Sequence, residues 1–163
     1  MNPTSTPKKR PLLPIALLAI VLVWVGIRLF FPDIPSPFAG SRPDTLGVVS
    51  GKLHPCPNTP NCVSSQSADV VHSIEPIPYT GTPGEAIEKI AAIVESQPRT
   101  KIIARESNYL YAEFASQWMG FVDDVEFYAD PDKKAIEVRS ASRLGESDLN
   151  VNRQRVETIR SLF

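Results

Sequence analysis

The chain is short of the residues from which most metal and enzyme centres are built. Its 163 residues hold two cysteines, Cys56 and Cys62, and two histidines, His54 and His72. A metal held by Cys56, Cys62 and His54 would still need further ligands, so the composition predicts no metal. No G-x-x-x-x-G-K-[ST], G-x-G-x-x-G or H-E-x-x-H run is present, nor a Ser-His-Asp order, and both histidines precede the main strand series. These absences remove the usual phosphate, dinucleotide, zinc-protease and serine-hydrolase signatures, and no cofactor is predicted. An excess of basic residues is also missing. Lys8, Lys9, Arg10 and Arg28 are the only bases before residue 42 and Asp33 the only acid, so residues 42–163 carry 17 acids against 13 bases. Nucleic-acid binding driven by counterion release calls for the opposite balance.

Long apolar runs are absent too, with one exception. Leu12–Phe31 reads LLPIALLAIVLVWVGIRLFF, about the 20 residues that cross a hydrocarbon core at 1.5 Å per residue. Arg28 lies near one end, where its side chain can reach the headgroups. Pro14 falls in the first turn, where its missing N–H is tolerated. The run is read as a retained signal anchor with the lipid bilayer as its partner. A cleaved signal peptide is the competing reading, because the uncharged stretch Ile15–Ile27 is within the length of a signal core. Either way Lys8–Arg10 is predicted to stay cytoplasmic and the remainder to be exported, into a periplasm or a thylakoid lumen.

Export bears on CPNTPNC, residues 56–62. In an oxidising compartment two cysteines in a small domain favour a disulfide, here across a short loop already bent by Pro57 and Pro60. Metal ligation and thiol redox activity stay open as alternatives, although redox dithiols commonly use the shorter spacing C-x-x-C.

Eleven of the 16 prolines lie in the first 60 residues, so residues 32–55 read as a Pro-stiffened tether between residues 12–31 and a domain over 56–163. Residues 1–11 form the basic N-terminus. Within the domain, Val70–Tyr79 is β-rich but carries Pro76 and Pro78, which fits an edge strand. Thr82-Pro83-Gly84-Glu85 is a capping box with proline at the first helical position. Ile87, Ile90, Ala91 and Val94 then repeat at helical spacing up to Pro98. Four strands follow, near 101–105, 109–115, 121–128 and 135–141. Matching apolar faces across the last hairpin requires facing positions to sum to an odd number. The total 263 leaves Asp130–Lys133 as the turn, places Asp124 opposite Arg139, and sets Asp123 on the apolar face opposite Ser140. A carboxylate on an apolar face needs a partner. Asp123, Arg143 and Arg153 are therefore expected to converge on one partly buried polar site. Towards the C-terminus Gly145 marks a turn, Ser147 or Asp148 is placed to cap a helix, and Leu149, Val156, Ile159 and Phe163 form a narrow apolar stripe interrupted by Asn152. Arg139, Arg143, Arg153, Arg155 and Arg160 crowd this region, and such a cluster can address an anion as readily as it can solvate a helix.

Together, CPNTPNCVSS, GFVDDVEF and RSASRLGESDLNVNRQRVETIR, in that order, resemble the bacterial and plastid family named domain of unknown function 1499. The resemblance covers Cys56–Phe163, and the family name assigns no activity. It implies motif positions at Cys56, Pro57, Asn58, Asn61, Cys62, Asp123, Asp124, Glu126, Arg139, Ser140, Ser142, Arg143, Asp148, Asn152, Arg153 and Arg155. Leu149-Asn150 stands where a glycine next to Val151 belongs to the pattern. The expected fold is α+β: an antiparallel sheet of four or five strands with helices Glu85–Gln97 and Leu149–Phe163 on one face. The expected role is a non-enzymatic module that binds a small anionic or polar ligand, or an envelope protein, through Asp123, Arg139, Arg143, Arg153 and Arg155. A hydrolase- or transferase-like enzyme using Asp123 or Asp148 with the arginines is the alternative, and a thiol oxidoreductase the third.

Overall fold

A computed structural model describes residues 12–31 and 34–163, which divide into two units, 1–34 and 35–163. The basic cluster Lys8–Arg10 lies outside the described residues. In the first unit, helix α1 spans Leu12–Phe30. Its window Leu13–Phe30 has a mean hydropathy of 2.5 and is long and apolar enough to cross a membrane. From its last turn the Arg28 guanidinium donates to the carbonyl of Ile34 at 3.1 Å.

The second unit carries strands β1 (Cys62–Ser64) and β2 (Ile77–Pro78), helix α2 (Pro83–Glu95), strands β3 (Thr100–Arg105), β4 (Tyr109–Ala115), β5 (Val122–Asp130) and β6 (Ala135–Ser142), and helix α3 (Val151–Leu162). The six strands form one antiparallel sheet in the order β1-β6-β5-β4-β3, with β2 also pairing to β6. The sheet thus has one strand more than the largest expected number. The extra pairing comes from β1 and β2, which share the free edge of β6 and meet it at residues 139–141 and 135–136.

Helix α2 begins as its sequence dictates. Thr82 caps it, the Thr82 hydroxyl accepting from the Glu85 N–H while the Glu85 carboxylate accepts from the Thr82 N–H at 2.8 Å. Ile87, Ile90 and Val94 are fully enclosed, and burying each contributes about 1.5–3 kcal/mol. They meet Val156 and Ile159 of α3 and one face of the strands, including Leu110, Ala112, Val125, Phe127, Ile136 and Val138. Both helices therefore cover the same face of the sheet.

Two expectations are corrected. The last hairpin pairs Asp123 with Ser142, Asp124 with Ala141, Glu126 with Arg139 and Asp130 with Ala135, a total of 265 rather than 263. Parity, and with it the facing of every side chain, is retained; the slip is two residues. Its cause lies in the turn. The Asp130 carboxylate accepts from the N–H groups of Asp132 and Lys133 at 2.9 and 3.2 Å, and Lys134 takes a left-handed φ of 53°. Asp130 thereby remains in the strand and the turn moves on by one residue. The second correction concerns the tether. Leu46, Val48 and Leu53 pack against Tyr109, Tyr111 and Tyr128 on the face of the sheet away from the helices. The Leu53 N–H donates to the Gln66 side chain at 2.8 Å. Residues 35–55 belong to the folded unit, and proline there shapes a cover instead of a spacer.

Candidate functional site

Side chains alternate along a strand, so Asp123 shares the helix-covered face with Val125 and Phe127. Its partner is Arg155, from the second turn of α3. One terminal nitrogen of Arg155 donates to the Asp123 carboxylate at 2.5 Å. The other reaches the side-chain carbonyl of Asn152 at 2.5 Å and the Ser140 hydroxyl at 3.0 Å. The guanidinium also sits 4.8 Å from the centre of the Phe114 ring. Asn152 is fully buried, accepts from Ser140 at 2.5 Å, and donates to Ser142 Oγ and to the carbonyl of Asn61, each at 3.0 Å. Asn61 donates in turn to the Gly145 carbonyl at 2.6 Å. These residues bind the cystine loop, β6 and α3 into one hydrogen-bonded body. The cysteines are joined as a Cys56–Cys62 disulfide with Cα atoms 5.7 Å apart.

Three further residues of the C-terminal motif, Asp148, Arg153 and Arg160, hold backbone. The Asp148 carboxylate accepts from the N–H groups of Asn150 and Asn152 at 3.0 and 2.8 Å, which caps α3. Arg153 donates to the carbonyls of Ser73 and Val71 at 2.7 and 3.0 Å, and Arg160 to that of Pro76 at 2.7 Å. The chain between β1 and β2 is therefore fastened by arginines of the last helix.

A second network occupies the opposite face. Arg143 donates through Nε to Asp124 at 2.9 Å, and through Nη2 to Asp124 at 2.6 Å and to Glu113 at 2.5 Å. The Tyr111 hydroxyl donates to Asp124 at 2.5 Å, and Arg42 from the covering segment holds Glu113 at 2.6 Å. Alongside, the fully buried Glu126 accepts from the N–H of Gly47 at 2.7 Å, from the Tyr109 hydroxyl at 2.8 Å and from Arg139 at 3.3 Å. Among the described residues Arg139 Nε is the one buried side-chain polar atom without a hydrogen-bond partner.

The titration behaviour follows from this packing. Burial raises the Tyr109 and Tyr111 hydroxyls far above the usual tyrosine range, aided by the charges of Glu126 and Asp124. Burial also pushes the Glu113 carboxyl up, but hydrogen bonds from Arg143 and Arg42 outweigh it and hold the group below its ordinary value. Arg143 stays firmly cationic, because Asp124 and Glu113 outweigh its desolvation.

The expected convergence of Asp123, Arg143 and Arg153 does not occur. Arg143 serves Asp124 on the other face, Arg153 holds backbone, and Arg155 takes the place beside Asp123. Arg139 lies opposite Glu126, not Asp124. Sequence reasoning missed Glu113, Tyr109, Tyr111 and Arg42 altogether. A signal for three of them existed: Tyr109, Tyr111 and Glu113 share one parity in YLYAEFA, and so share a face with Asp124 and Glu126.

Among the described residues, three surface clefts stand near these networks and the C-terminal helix. One of about 310 Å³ opens where the Asp123–Arg155 network reaches solvent and is lined by Arg99, Phe114, Gln154, Arg155 and Thr158, among others. A polar one of about 440 Å³ runs between Lys52, Gln66, Asp130, Lys133 and Glu137. A third, of about 550 Å³, lies between Ile77, Tyr79, Lys89, Arg160 and Phe163. Among the described residues no group of three or more His, Cys, Asp or Glu side chains is arranged to hold a metal ion.

Comparison with known proteins gives two findings. A family model described as "Protein of unknown function (DUF1499)" matches residues 52–163. The chain is also similar to the thylakoid lumenal 17.9 kDa protein, chloroplastic, of Arabidopsis thaliana, at 34% identity over 119 residues, covering 66% of this chain and 52% of the relative. The chain thus spans about half the length of the curated relative it matches.

Proposed function

We propose, from the premise that the chain belongs to the DUF1499 family, that it is a membrane-anchored extracytoplasmic binding module without catalytic chemistry of its own. The ligand is a small anion of the carboxylate or phosphate kind, taken in the cleft between the C-terminal end of α2, β4 and α3. One observation carries this reading: Arg155, immobilised by Asp123, Asn152 and Ser140, forms part of the wall of the 310 Å³ cleft that Arg99, Gln154 and Thr158 also line. A cation fixed in advance loses little entropy on binding, and a guanidinium suits planar anions. The carboxylates that an enzyme would employ are already engaged, Asp123 by Arg155 and Asp148 by the N-terminus of α3. The apolar helix α1 and the lumenal character of the Arabidopsis relative support placement of the domain across a membrane from the cytoplasm.

The test is a thermal-shift titration of the full chain in detergent with inorganic phosphate and short dicarboxylates. Saturable stabilisation is expected, and it should be lost in Arg99→Gln and Gln154→Ala. Stabilisation that survives both substitutions, or none at all, rejects the cleft as a small-anion site and leaves a protein ligand as the reading to pursue.

A further inference from the structure

The β4–β5 loop carries an apolar surface that the core does not use. Trp118, Met119 and Phe121, with Phe38 and Leu144, are 39% to 51% exposed. The Phe38 and Phe121 rings lie 6.0 Å apart, and Leu144 is brought to the same side by the close approach of Gly40 to Arg143 and Leu144. Apart from Leu144, whose neighbour Arg143 is engaged by Asp124 and Glu113, two stretches build this surface, 34–41 and 115–122, and neither contains a charged residue. Aromatic and apolar side chains free of charge are what the boundary between headgroups and acyl chains accepts.

The chain's connectivity determines what lies within reach of this surface. The apolar window of α1 ends at Phe30, and Ile34 is held to Arg28 by the 3.1 Å hydrogen bond to its carbonyl. Ser36 follows two residues later, at most about 7 Å of extended chain. The Ser36 hydroxyl donates to the Met119 carbonyl at 2.5 Å, so the loop is fastened to the segment that leaves the apolar helix. Even measured from Phe30, a fully extended chain gives about 20 Å to Ser36. The headgroup layer beyond the hydrocarbon is itself about 5–7 Å deep.

We infer that Trp118, Met119 and Phe121, with Phe38, form a membrane-contact site that seats the domain on the headgroup region of the bilayer crossed by α1. The inference rests on the anchored reading above. It assigns the loop to lipid rather than to a protein partner, because the anchor keeps the lipid surface within a few residues' reach while the loop offers no charge to specify a partner.

Two single-tryptophan forms of the full chain separate the inference from its premise. Trp24→Phe leaves Trp118 as the reporter, and Trp118→Phe leaves Trp24 within α1. Each is reconstituted in phosphatidylcholine vesicles containing a minor share of phosphatidylglycerol, with either a headgroup nitroxide or acyl chains brominated near the bilayer centre. Trp118 is expected to lose most of its emission to the headgroup nitroxide and to be shielded from aqueous iodide, while Trp24 is quenched by the deep bromines. Quenching of Trp24 with Trp118 untouched by the nitroxide and open to iodide overturns the contact site and leaves the anchor standing. If neither tryptophan is quenched, the anchor fails and the inference falls with it.

Discussion

Asp123 and Asp124 are consecutive in the chain, yet each is neutralised by a different arginine on a different face of the sheet: Arg155 at 2.5 Å beneath the helices, and Arg143 at 2.6 Å beneath the covering segment. The alternation of a strand turns a single Asp-Asp pair into two separate ionic networks. Each braces a different layer against the same sheet.

Removing one partner from such a pair leaves a buried charge uncompensated. Arg155→Ala and Arg143→Ala should each lower the unfolding free energy by about 3–5 kcal/mol. The two effects should add to within about 0.5 kcal/mol, because the guanidinium groups share no partner, whereas Arg155→Ala with Asp123→Ala should be strongly non-additive. Denaturant unfolding of the three single and two double variants reads both, and coupling between Arg143 and Arg155 would mean that the networks are not independent.

Glu113 gives the fold an acid limit. Its ordinary value is 4.5, and in the folded protein it is lower. On acidification the unfolded chain therefore takes up the proton first. The contribution is complete above about pH 4.5 and is lost as the pH falls through the folded-state value. Glu113→Gln should lower stability at neutral pH and flatten its decline below that point. An unchanged slope between pH 5 and pH 3 would show that the Arg143 and Arg42 contacts do not control the titration.

The Cys56–Cys62 bridge closes a short loop, for which the chain-entropy relation gives about 2 kcal/mol. Reduction should lower the denaturation midpoint accordingly, and alkylation without reductant should modify neither cysteine. Alkylation of both in protein taken from the oxidising compartment would remove the staple.

Leu149 and Asn150 both adopt left-handed φ, 53° and 72°, at the entry to α3. Leucine there is strained by about 1–2 kcal/mol, and this one is exposed and packs little. Leu149→Gly should raise stability by about 0.5–1 kcal/mol after the entropic cost of glycine is subtracted. A loss of stability in thermal or chemical unfolding would show that the side chain has a contact the strain argument neglects.

Full-length protein should sediment with membranes at full mass and resist extraction by high salt, since α1 is apolar over its whole window. A mature form beginning near Gly40 would replace the anchor with a cleaved signal.

Much of the architecture was legible because it is written locally. The Thr82–Glu85 box, the spacing of Ile87, Ile90 and Val94 and the four long strands each signal through their neighbours alone. What failed was non-local. Parity fixes which face a side chain takes but leaves the register free by two, and only the Asp130 side chain decided that. Asn152 read as a defect in an apolar stripe because its partners Ser140, Ser142 and Asn61 are 10 to 91 residues away. The covering segment has neither helical nor strand periodicity, so Leu46, Val48 and Leu53 gave no sign that they pack on tyrosines.

The edge shared by β1 and β2 sets an order on how the chain is completed. Cys62 pairs with Ala141 and Ile77 with Ile136, and the segment between the two short strands is clasped by Arg153 and Arg160. A nascent chain therefore carries β1 and β2 as loose ends until β6 and α3 have emerged, and long-range closure of this kind slows folding. The strands β3, β4 and β5 pair only with one another and with β6, so the edge built by β1 and β2 is the part of the sheet that must wait for chain made later.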